Sequence, residues 1–492
     1  MSEGPKRPLT FYGVNMKTEV IFGNPGTGKT YNLIQKINDF RQQGYGKNEI
    51  QVVSHTRIAA AEIVSRSEGA FSNTLHSLAY SYANITKDQV LSTNEIKEFS
   101  EKIGIPMKGY SMDDTATLEV GDEYNGVMNR ARALLKEPMD LAHELTEIGN
   151  EKEYEYFVNS YQNFKRTYGL IDFNDMLSLA IEALRMTHLK PGFSVFIIDE
   201  AQDLSPLQWL LIDTIIEKGD IKSAVVTGDP DQAIFLWGGA DRRGMENFVS
   251  KYSSEIKELR QSYRVPEKVH KISADIISHA QERYVKEYEP TNKKGHVSFS
   301  TGAYALDWDA LHGKNVLILY RTHGFRREFE RELVSRALPY RAIAGSPGLF
   351  ENRLGRAVKV FRELQQKPLN VLPAQTKVLW QSCLTHKGKQ LVNNLSEFLK
   401  QKVEDIFVLP NWYIEYYRNT DFTQTPTITL STIHGAKGME ADNVIVSKGI
   451  TNRILNTLET YPGDEYKVWF VGVTRAKENL TLVNSEGLDI DL

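Results

Sequence analysis

The sequence predicts an α/β protein with two domains, each built around a parallel β-sheet. With 492 residues, the chain is too long for a single hydrophobic core. In its first half, solid apolar runs alternate with helical patterns, which is typical of parallel strands covered on both faces. Further apolar runs of the same kind follow Arg264. These observations together favour two α/β units over one.

The first unit is predicted from four apolar runs, each of which leads into a loop and then a helical pattern. The predicted strands are Thr18–Phe22, Ile50–Ser54, Phe193–Ile198 and Ser223–Thr227. Helices are expected from Lys29, near Ile58–Ser65 and near Leu207–Ile216.

Two polar, helix-rich stretches interrupt these α/β patterns. The second unit has predicted strands at Val297–Ser300, Val316–Tyr320, Tyr340–Ala344, Thr427–Ser431, Val444–Ser447 and Leu480–Val483. We therefore predict a first α/β domain at 1–77 and 165–258 with a helical insertion at 78–164. The second α/β domain is predicted at 259–348 and 426–492, with a reduced insertion at 349–425.

Composition sets limits but does not define a function. The net charge of −4 neither indicates nor excludes nucleic-acid binding, because phosphate contacts depend on local patches of charge. The single cysteine, Cys383, excludes an intrachain disulfide and is expected to be a buried apolar residue. That usage fits a reducing compartment, and we expect a cytoplasmic protein. No apolar stretch is long enough for a membrane span.

A phosphate-binding loop motif follows the first predicted strand. The pattern G-x-x-x-x-G-K-[ST] is matched by Gly23, Asn24, Pro25, Gly26, Thr27, Gly28, Lys29 and Thr30. Such a loop turns backbone N–H groups toward phosphate oxygens at a helix N-terminus. Lys29 is expected to contact the β- and γ-phosphates, and Thr30 to bind Mg²⁺. The motif predicts a nucleoside triphosphate site.

Acidic and amide side chains follow two other strands of the same unit. Asp199 and Glu200 come directly after Phe193–Ile198, at the edge where α/β sheets bind ligands. Asp199 is expected in the Mg²⁺ shell, and Glu200 is expected to orient or deprotonate the attacking water. Gln232, in the loop after Ser223–Thr227, is placed to contact the γ-phosphate.

Taken together, these residues resemble superfamily 1 helicases of the UvrD/Rep type. The resemblance extends over six segments in the order of the family: Val53–Ala60, Ile197–Asp203, Gly228–Ala240, Gln261–Arg264, Thr432–Glu440 and Val471–Lys477. It implies two RecA-like P-loop NTPase domains that use ATP and Mg²⁺.

The resemblance also implies roles for residues of the second unit. Arg264 and Arg475 are expected to act as arginine fingers, which neutralise charge on the transferred phosphoryl group. Tyr263 is expected to stack on the adenine. Glu440 is expected to bind the ribose or to couple the nucleotide to the strand.

A nucleic-acid track is implied in the same way. Trp237 is expected to stack on a base of a single strand, and stacking tolerates any sequence. Phe235 fits the core and the track equally well, and His55 could stack or contact phosphate. The other expected backbone contacts are Thr56, Arg57, His76, Thr432 and His434.

The resemblance implies an ATP-dependent helicase that moves 3′→5′ on single-stranded DNA and engages single-strand/duplex junctions. A replication or repair protein could be its partner. Three alternatives remain open at this point: an RNA helicase, a translocase that does not unwind, and an ATP-switched nucleic-acid-binding module. The chain departs from the family in lacking a glutamine between its start and Gly23, and in carrying Gly238 where arginine is frequent.

Overall fold

The computed structural model describes residues 16–54, 63, 65–67, 70–108, 119–145, 148–280, 283–343, 347–369 and 371–492. These residues form two compact units. The first comprises the described residues of Met1–Met112 and Leu118–Ser262 together with Arg283–Tyr288, and the second those of Tyr263–Glu282 and Glu289–Leu492. None of the described helices combines the length and apolar composition needed to span a membrane.

A parallel sheet of six described strands forms the centre of the first unit, in the order β3-β2-β4-β5-β1-β6. The strands are β1 (Lys17–Gly23), β2 (Ile50–Ser54), β3 (Phe71–Thr74), β4 (Val195–Ile198), β5 (Ser223–Gly228) and β6 (Glu255–Leu259). Every residue of β2, β4 and β5 is buried, which explains their solid apolar runs.

Helices of the first unit cover both faces of this sheet and also form a separate helical insertion. They are α1 (Lys29–Gln42), α2 (Leu75–Tyr82), α3 (Thr93–Ile103), α4 (Val120–Ala133), α5 (Pro138–Leu145), α6 (Glu151–Tyr168), α7 (Phe173–Met186), α8 (Pro206–Lys218) and α9 (Gly244–Tyr252). Apolar side chains of α1 pack on one face, and those of α2, α7 and α8 pack on the other.

The insertion has an aromatic core of its own. Phe99 of α3 lies with ring centroids 5.4 Å from Phe157 and Tyr161 of α6. Beside this core, Lys165 is buried, and its Nζ atom lies 2.6 Å from Asp172 Oδ2. Arg132 also pairs with Asp172, so the cluster holds cations and carboxylates together.

The second unit is built on another parallel sheet of six described strands, in the order β7-β13-β11-β8-β10-β9. These strands are β7 (His296–Ser300), β8 (Val316–Tyr320), β9 (Tyr340–Ile343), β10 (Ile428–Thr432), β11 (Ala441–Ser447) and β13 (Ala476–Val483). Two short strands, β12 (Gly449–Ile450) and β14 (Leu488–Asp489), form an antiparallel pair.

Short helices surround the second sheet. They are α10 (Glu267–Ser278), α11 (Trp308–Leu311), α12 (Arg326–Ser335), α13 (Arg353–Gln366), α14 (Ala374–Gln381), α15 (His386–Leu391), α16 (Leu395–Leu399), α17 (Val403–Ile406), α18 (Ile414–Asn419), α19 (Asn452–Thr460) and α20 (Pro462–Val473). An aromatic group around Trp380 and Phe398 joins α13–α18 to the core of the sheet.

The structure confirms the predicted α/β class with two parallel sheets, and it corrects the prediction at the sheet edges. β3 and β6 lie at the two edges of the first sheet and were not predicted. An edge strand has one neighbour and an exposed side, so it needs no continuous apolar run. The helix predicted near Ile58–Ser65 lies mostly outside the described residues. Cys383 is buried, as expected.

Candidate nucleotide site and nucleic-acid track

The phosphate-binding loop joins β1 to α1 at the carboxyl edge of the first sheet. Gly28 precedes α1 in the left-handed conformation, with φ of 78°, which a side chain would disfavour. It offers the helix no side-chain cap. The N–H groups of the first helical turn have no intrahelical acceptor, so they can receive phosphate oxygens.

The interior of the loop is closely packed. A Cβ atom at Gly23 would lie 2.6 Å from Lys29 Cγ and 2.8 Å from Thr27 Oγ1. Thr27 Oγ1 donates a hydrogen bond of 2.8 Å to the carbonyl of Asn24, and both residues are buried. Lys29 Nζ donates to the carbonyl of Gly23 over 2.9 Å. Lys29 therefore lies along the loop that is predicted to bind the phosphates it would contact.

The acidic pair follows β4 at the same edge of the sheet. Asp199 is buried, and its N–H donates to the carbonyl of Val53 over 2.8 Å. Glu200 has φ of 52°, a left-handed conformation that is unusual for a residue with a side chain. Strained backbone of this kind is frequent at functional sites. The Glu200 carboxylate accepts a hydrogen bond from Gln202 Nε2.

The oxygen ligands expected for Mg²⁺ have suitable chemistry. Thr30 is in the first turn of α1, and the carboxylate of Asp199 is buried at the carboxyl end of β4. Mg²⁺ is a hard cation that is usually bound by one or two carboxylates together with phosphates and water. A hydroxyl and a carboxylate at this edge of the sheet fit such an ion.

The loop after β5 contains a buried polar network. Gln232 Nε2 donates to Asp229 Oδ2 over 2.5 Å, and both side chains are buried. Burial would raise the pKa of Asp229. Lys286 and Lys29 nevertheless hold the pKa of that carboxyl below its ordinary value, with hydrogen bonds from Lys286 and Gln232. Asp229 is therefore a carboxylate that fixes the Gln232 amide.

Two residues of this network, Gln202 and Lys286, were not predicted from the sequence. Gln202 Oε1 accepts a hydrogen bond of 3.0 Å from the N–H of Asp229. Gln202 lies within the family segment Ile197–Asp203, but that segment does not by itself indicate this hydrogen bond. Lys286 pairs with Asp229 over 2.8 Å. It lies in no recognised motif, and only the tertiary structure brings it to this loop.

In the second unit, Glu440 lies between two cations. Its Oε2 atom accepts a hydrogen bond of 2.6 Å from Arg264 Nε, and its Oε1 atom pairs with Lys477 over 2.5 Å. Burial would raise the pKa of Glu440, but Arg264 and Lys477 keep it below its ordinary value. The preceding Tyr263 is 78% exposed, so its ring is available for stacking.

Three other predicted residues of the second unit are buried. Arg475 is 2% exposed, and its Nε atom donates to the carbonyl of Val471 over 2.8 Å. Thr432 Oγ1 accepts from the N–H of Gly435 over 3.0 Å, and His434 is also buried. The predicted contacts of Arg475 with phosphate, and of Thr432 and His434 with a strand, stay predictions.

The aromatic pair predicted for the track follows the Gln232 loop. Phe235 and Trp237 are half-buried, with ring centroids 6.3 Å apart and planes at 64°. Next to them, a Cβ atom at Gly239 would lie 3.0 Å from Ala133 Cβ. This loop therefore packs against α4 of the helical insertion.

The remaining track residues are a histidine that the structure describes and three residues that it does not. His76 of α2 is half-buried and contacts Phe173 edge-on, with centroids 5.4 Å apart. His55, Thr56 and Arg57 lie outside the described residues. Their contacts with nucleic acid stay predictions.

Comparisons with known proteins place both halves of the chain in one family. A family model described as "UvrD/REP helicase N-terminal domain" matches residues 11–253, and one described as "UvrD-like helicase C-terminal domain" matches residues 358–487. ATP-dependent DNA helicase PcrA of Leuconostoc citreum is 22% identical over 371 residues, which cover 66% of this chain and 48% of that protein.

Two further relatives have similar identities. DNA helicase II of Escherichia coli K12 is 23% identical over 368 residues, which cover 66% of this chain and 49% of that protein. ATP-dependent DNA helicase UvrD2 of Mycobacterium tuberculosis H37Rv is 22% identical over 536 residues, covering 94% and 76%. The chain thus spans about half the length of the PcrA and DNA helicase II relatives. With both family models matched, the chain belongs to the UvrD/Rep type of superfamily 1 helicases.

Proposed function

We propose that this protein is an ATP-dependent DNA helicase that moves 3′→5′ along single-stranded DNA and unwinds duplexes. One observation carries the proposal. Gln202 donates a hydrogen bond to Glu200, the N–H of Asp229 donates to Gln202, and Gln232 donates to Asp229, beside a phosphate-binding loop on the same sheet edge. The residues expected to activate water and to contact the γ-phosphate are therefore physically linked.

The first unit supplies the groups for hydrolysis in this proposal. N–H groups at the start of α1 and the ammonium of Lys29 bind the phosphates. Thr30 and Asp199 hold Mg²⁺, which neutralises charge developing on the phosphate oxygens. Glu200 orients the attacking water and accepts its proton. Gln232 contacts the γ-phosphate and responds to its loss.

The second unit supplies positive charge and an aromatic surface. Arg264 and Arg475 act as arginine fingers, a contribution worth about 10³–10⁵ in rate. Arg264 is held by Glu440 in the present structure, so it must exchange this carboxylate for phosphate. Tyr263 stacks on the adenine through its exposed ring. Glu440 binds the ribose or couples the nucleotide to the strand.

Translocation depends on the short distance in sequence from Gln232 to Trp237. When the γ-phosphate leaves, a shift of the Gln232 loop moves the Trp237 platform with it. Trp237 and Phe235 stack on bases, while His55, Thr56, Arg57, His76, Thr432 and His434 contact the backbone. The substrates are single-stranded DNA and single-strand/duplex junctions, and a replication or repair protein is the expected partner.

ATP turnover measured with and without single strands tests the proposal. We expect single-stranded DNA to raise turnover at least about tenfold, and Lys29→Ala to abolish turnover because the β- and γ-phosphates lose their cation. Lys36→Ala is the matched control: Lys36 lies on the same helix and pairs with Glu19. Wild-type turnover in the Lys29→Ala protein would contradict the assigned site.

Strand displacement on tailed duplexes then separates the alternatives. A helicase that moves 3′→5′ on DNA should displace a strand from duplexes with a 3′ tail and leave those with a 5′ tail intact. Displacement of RNA duplexes alone would favour an RNA helicase. Strand-stimulated turnover without displacement would favour a translocase that does not unwind. Turnover unaffected by strands would favour an ATP-switched binding module.

A further inference from the structure

A short segment returns from the second unit to the phosphate side of the first. The chain leaves the first unit after Ser262 and contributes the described residues of Tyr263–Glu282 to the second. It then contributes Arg283–Tyr288 to the first unit and continues in the second from Glu289. We call Arg283–Tyr288 the return segment. Several of its contacts are with the phosphate-binding loop and with the loop after β5.

Lys286 of the return segment joins two buried carboxylates. Its side chain is 1% exposed, and Nζ lies 2.8 Å from Asp229 Oδ1 and 2.7 Å from Asp231 Oδ2. Arg283 binds the same Asp231 with two hydrogen bonds, of 3.1 Å and 2.8 Å. Asp229 and Asp231 are both 0% exposed. Two cations from the return segment therefore balance two carboxylates of the loop after β5.

The two carboxylates differ in how they are neutralised. Asp231 has both Arg283 and Lys286 as ion-pair partners, whereas the ion pair of Asp229 within the described residues is with Lys286. The other oxygen of Asp229 accepts the Gln232 amide. Loss of the Lys286 charge would leave an uncompensated buried anion that also attracts Lys29. Such an anion would repel the γ-phosphate and draw Lys29 away from it.

The same segment also holds the phosphate-binding loop itself. The Tyr288 hydroxyl donates to the carbonyl of Pro25 over 3.0 Å. Asn24 Nδ2 donates to the carbonyl of Glu287 over 2.8 Å. The ring of Tyr284 stacks on Phe22 at the end of β1, with centroids 4.1 Å apart and planes at 14°. The segment is therefore fixed on both sides of Lys286.

We propose that Lys286 is a positioning residue for ATP hydrolysis, which neutralises Asp229 so that Gln232 stays oriented and Lys29 stays available to the γ-phosphate. This inference rests on the proposed function. Lys286 lies in the return segment, outside the recognised motifs, and would act on the phosphate site through Asp229. Its effect should appear in the chemical step and in the preference for a triphosphate, and not only in stability.

The helical insertion provides a matched control. Lys165 is also buried and pairs with two carboxylates, Asp172 and Asp175, to which Arg132 is bound as well. Both clusters thus contain a lysine, an arginine and two aspartates. The Lys165 cluster lies in α4, α6 and the start of α7, and it shares no residue with the nucleotide site. Lys165→Met removes the same charge from the same kind of cluster.

The experiment compares four variants of the full chain. Three are single variants, Lys286→Met, Lys286→Arg and Lys165→Met, and the fourth is the double variant that combines Lys286→Met and Asp229→Asn. For each we would measure the urea unfolding midpoint, kcat and KM for ATP with saturating single-stranded DNA, and the ratio of affinities for a non-hydrolysable ATP analogue and ADP. The double variant removes the anion with the cation, and asparagine keeps a carbonyl acceptor for the Gln232 amide.

For Lys286→Met we expect kcat to fall at least about tenfold and the preference for the ATP analogue over ADP to fall with it. Lys286→Arg should keep most of the activity. The double variant should recover kcat to within about threefold of wild type, because the buried carboxylate that remains, Asp231, still pairs with Arg283. Lys165→Met should lower the unfolding midpoint but keep kcat per folded molecule within about twofold.

Two results separate the failure of this inference from that of the proposed function. If the wild type shows strand-stimulated hydrolysis and Lys286→Met keeps its kcat as Lys165→Met does, Lys286 is merely structural. If the wild type shows no strand-stimulated hydrolysis, the proposed function falls and this inference with it. Should Lys286→Met not fold, Lys286→Gln takes its place, since it retains a hydrogen-bond donor and loses the charge.

Discussion

The main-chain N–H of Asp229 donates a hydrogen bond of 3.0 Å to the side-chain carbonyl of Gln202. The amide nitrogen of Gln202 donates in turn to the carboxylate of Glu200. β4 and β5 are neighbours in the sheet, so one side chain connects the loops that follow them. In the proposed mechanism, Glu200 activates water and Gln232 contacts the γ-phosphate. This bridge keeps the two side chains at fixed positions relative to each other.

Gly228→Ala tests the bridge, because Gly228 leaves room for the Gln202 side chain. A Cβ atom at Gly228 would lie 2.4 Å from Gln202 Oε1 and 2.7 Å from Met245 Sδ. Overpacking of this kind costs about 1–3 kcal/mol and displaces the neighbouring side chain. We expect a lower urea midpoint together with a loss of strand-stimulated turnover, measured on the same preparation.

Gly238→Ala is the control for this substitution. Gly238 is exposed, and a Cβ atom there would meet no described atom within 4 Å. We expect its unfolding midpoint to match that of wild type within the error of the measurement. Equal midpoints for the Gly228→Ala and Gly238→Ala proteins would show that the close packing at Gly228 has no energetic consequence.

Glu200→Gln should separate ATP binding from hydrolysis. The substitution keeps the shape of the side chain but removes the base expected to accept a proton from water, a contribution of about 10²–10⁴ in rate. We expect nearly unchanged affinity for ATP and turnover reduced at least about a hundredfold. Glu217→Gln, on the exposed side of α8, is the control. Undiminished hydrolysis in the Glu200→Gln protein would remove the role assigned to this residue.

Stability of the helical insertion should depend on pH through Asp172. Burial would raise the pKa of Asp172, but Arg132 and Lys165 hold it below its ordinary value. The unfolded chain then binds a proton at higher pH than the folded one. The ionised Asp172 carboxyl therefore contributes to the free energy of unfolding above its pKa in the unfolded chain, which is about 3.9. This contribution is lost as pH falls through the lower pKa of the folded state.

Urea unfolding of Asp172→Asn and wild type between pH 7 and pH 3 measures this contribution. The difference in free energy of unfolding should be largest near pH 7 and should narrow toward pH 3, since the Asp172 carboxyl of the unfolded wild-type chain takes up a proton before that of the folded chain does. Asp220→Asn controls for general effects of the substitution, because the Asp220 side chain is 77% exposed. A difference that stays constant with pH would mean that the charge of Asp172 does not stabilise the fold.

The sequence predicted the central strands well because burial on both faces requires continuous apolar runs. β2 at Ile50–Ser54 and β8 at Val316–Tyr320 have the predicted bounds. β6, Glu255–Leu259, was missed because its residues are exposed or half-buried at the edge of the sheet. Hydrophobic patterns in the sequence indicate which segments are buried. An edge strand has one neighbouring strand and is partly exposed, so its pattern predicts a strand only weakly.

Some residues of the site could not be predicted from the sequence because only tertiary contacts bring them together. The phosphate-binding loop and the residues after β4 and β5 were readable because strand ends gather at one edge of the sheet. Lys286 could not be found in this way, since it lies 57 positions after Asp229 in the sequence and reaches it through the return segment. An ion pair between two such residues follows from the path of the chain and not from a local pattern.

Trp237→Ala should uncouple ATP turnover from unwinding. Trp237 is half-buried beside Phe235, in a loop that packs against α4 and begins at the Gln232 network. Loss of one stacking platform costs about 1–3 kcal/mol of strand binding, or roughly 5- to 150-fold in affinity. We therefore expect strand displacement to fall more than turnover at saturating DNA. Trp237→Phe keeps an aromatic face and should retain part of the displacement. Normal unwinding by Trp237→Ala, with an unchanged unfolding midpoint, would contradict the assigned track and leave Trp237 as a packing residue against the insertion.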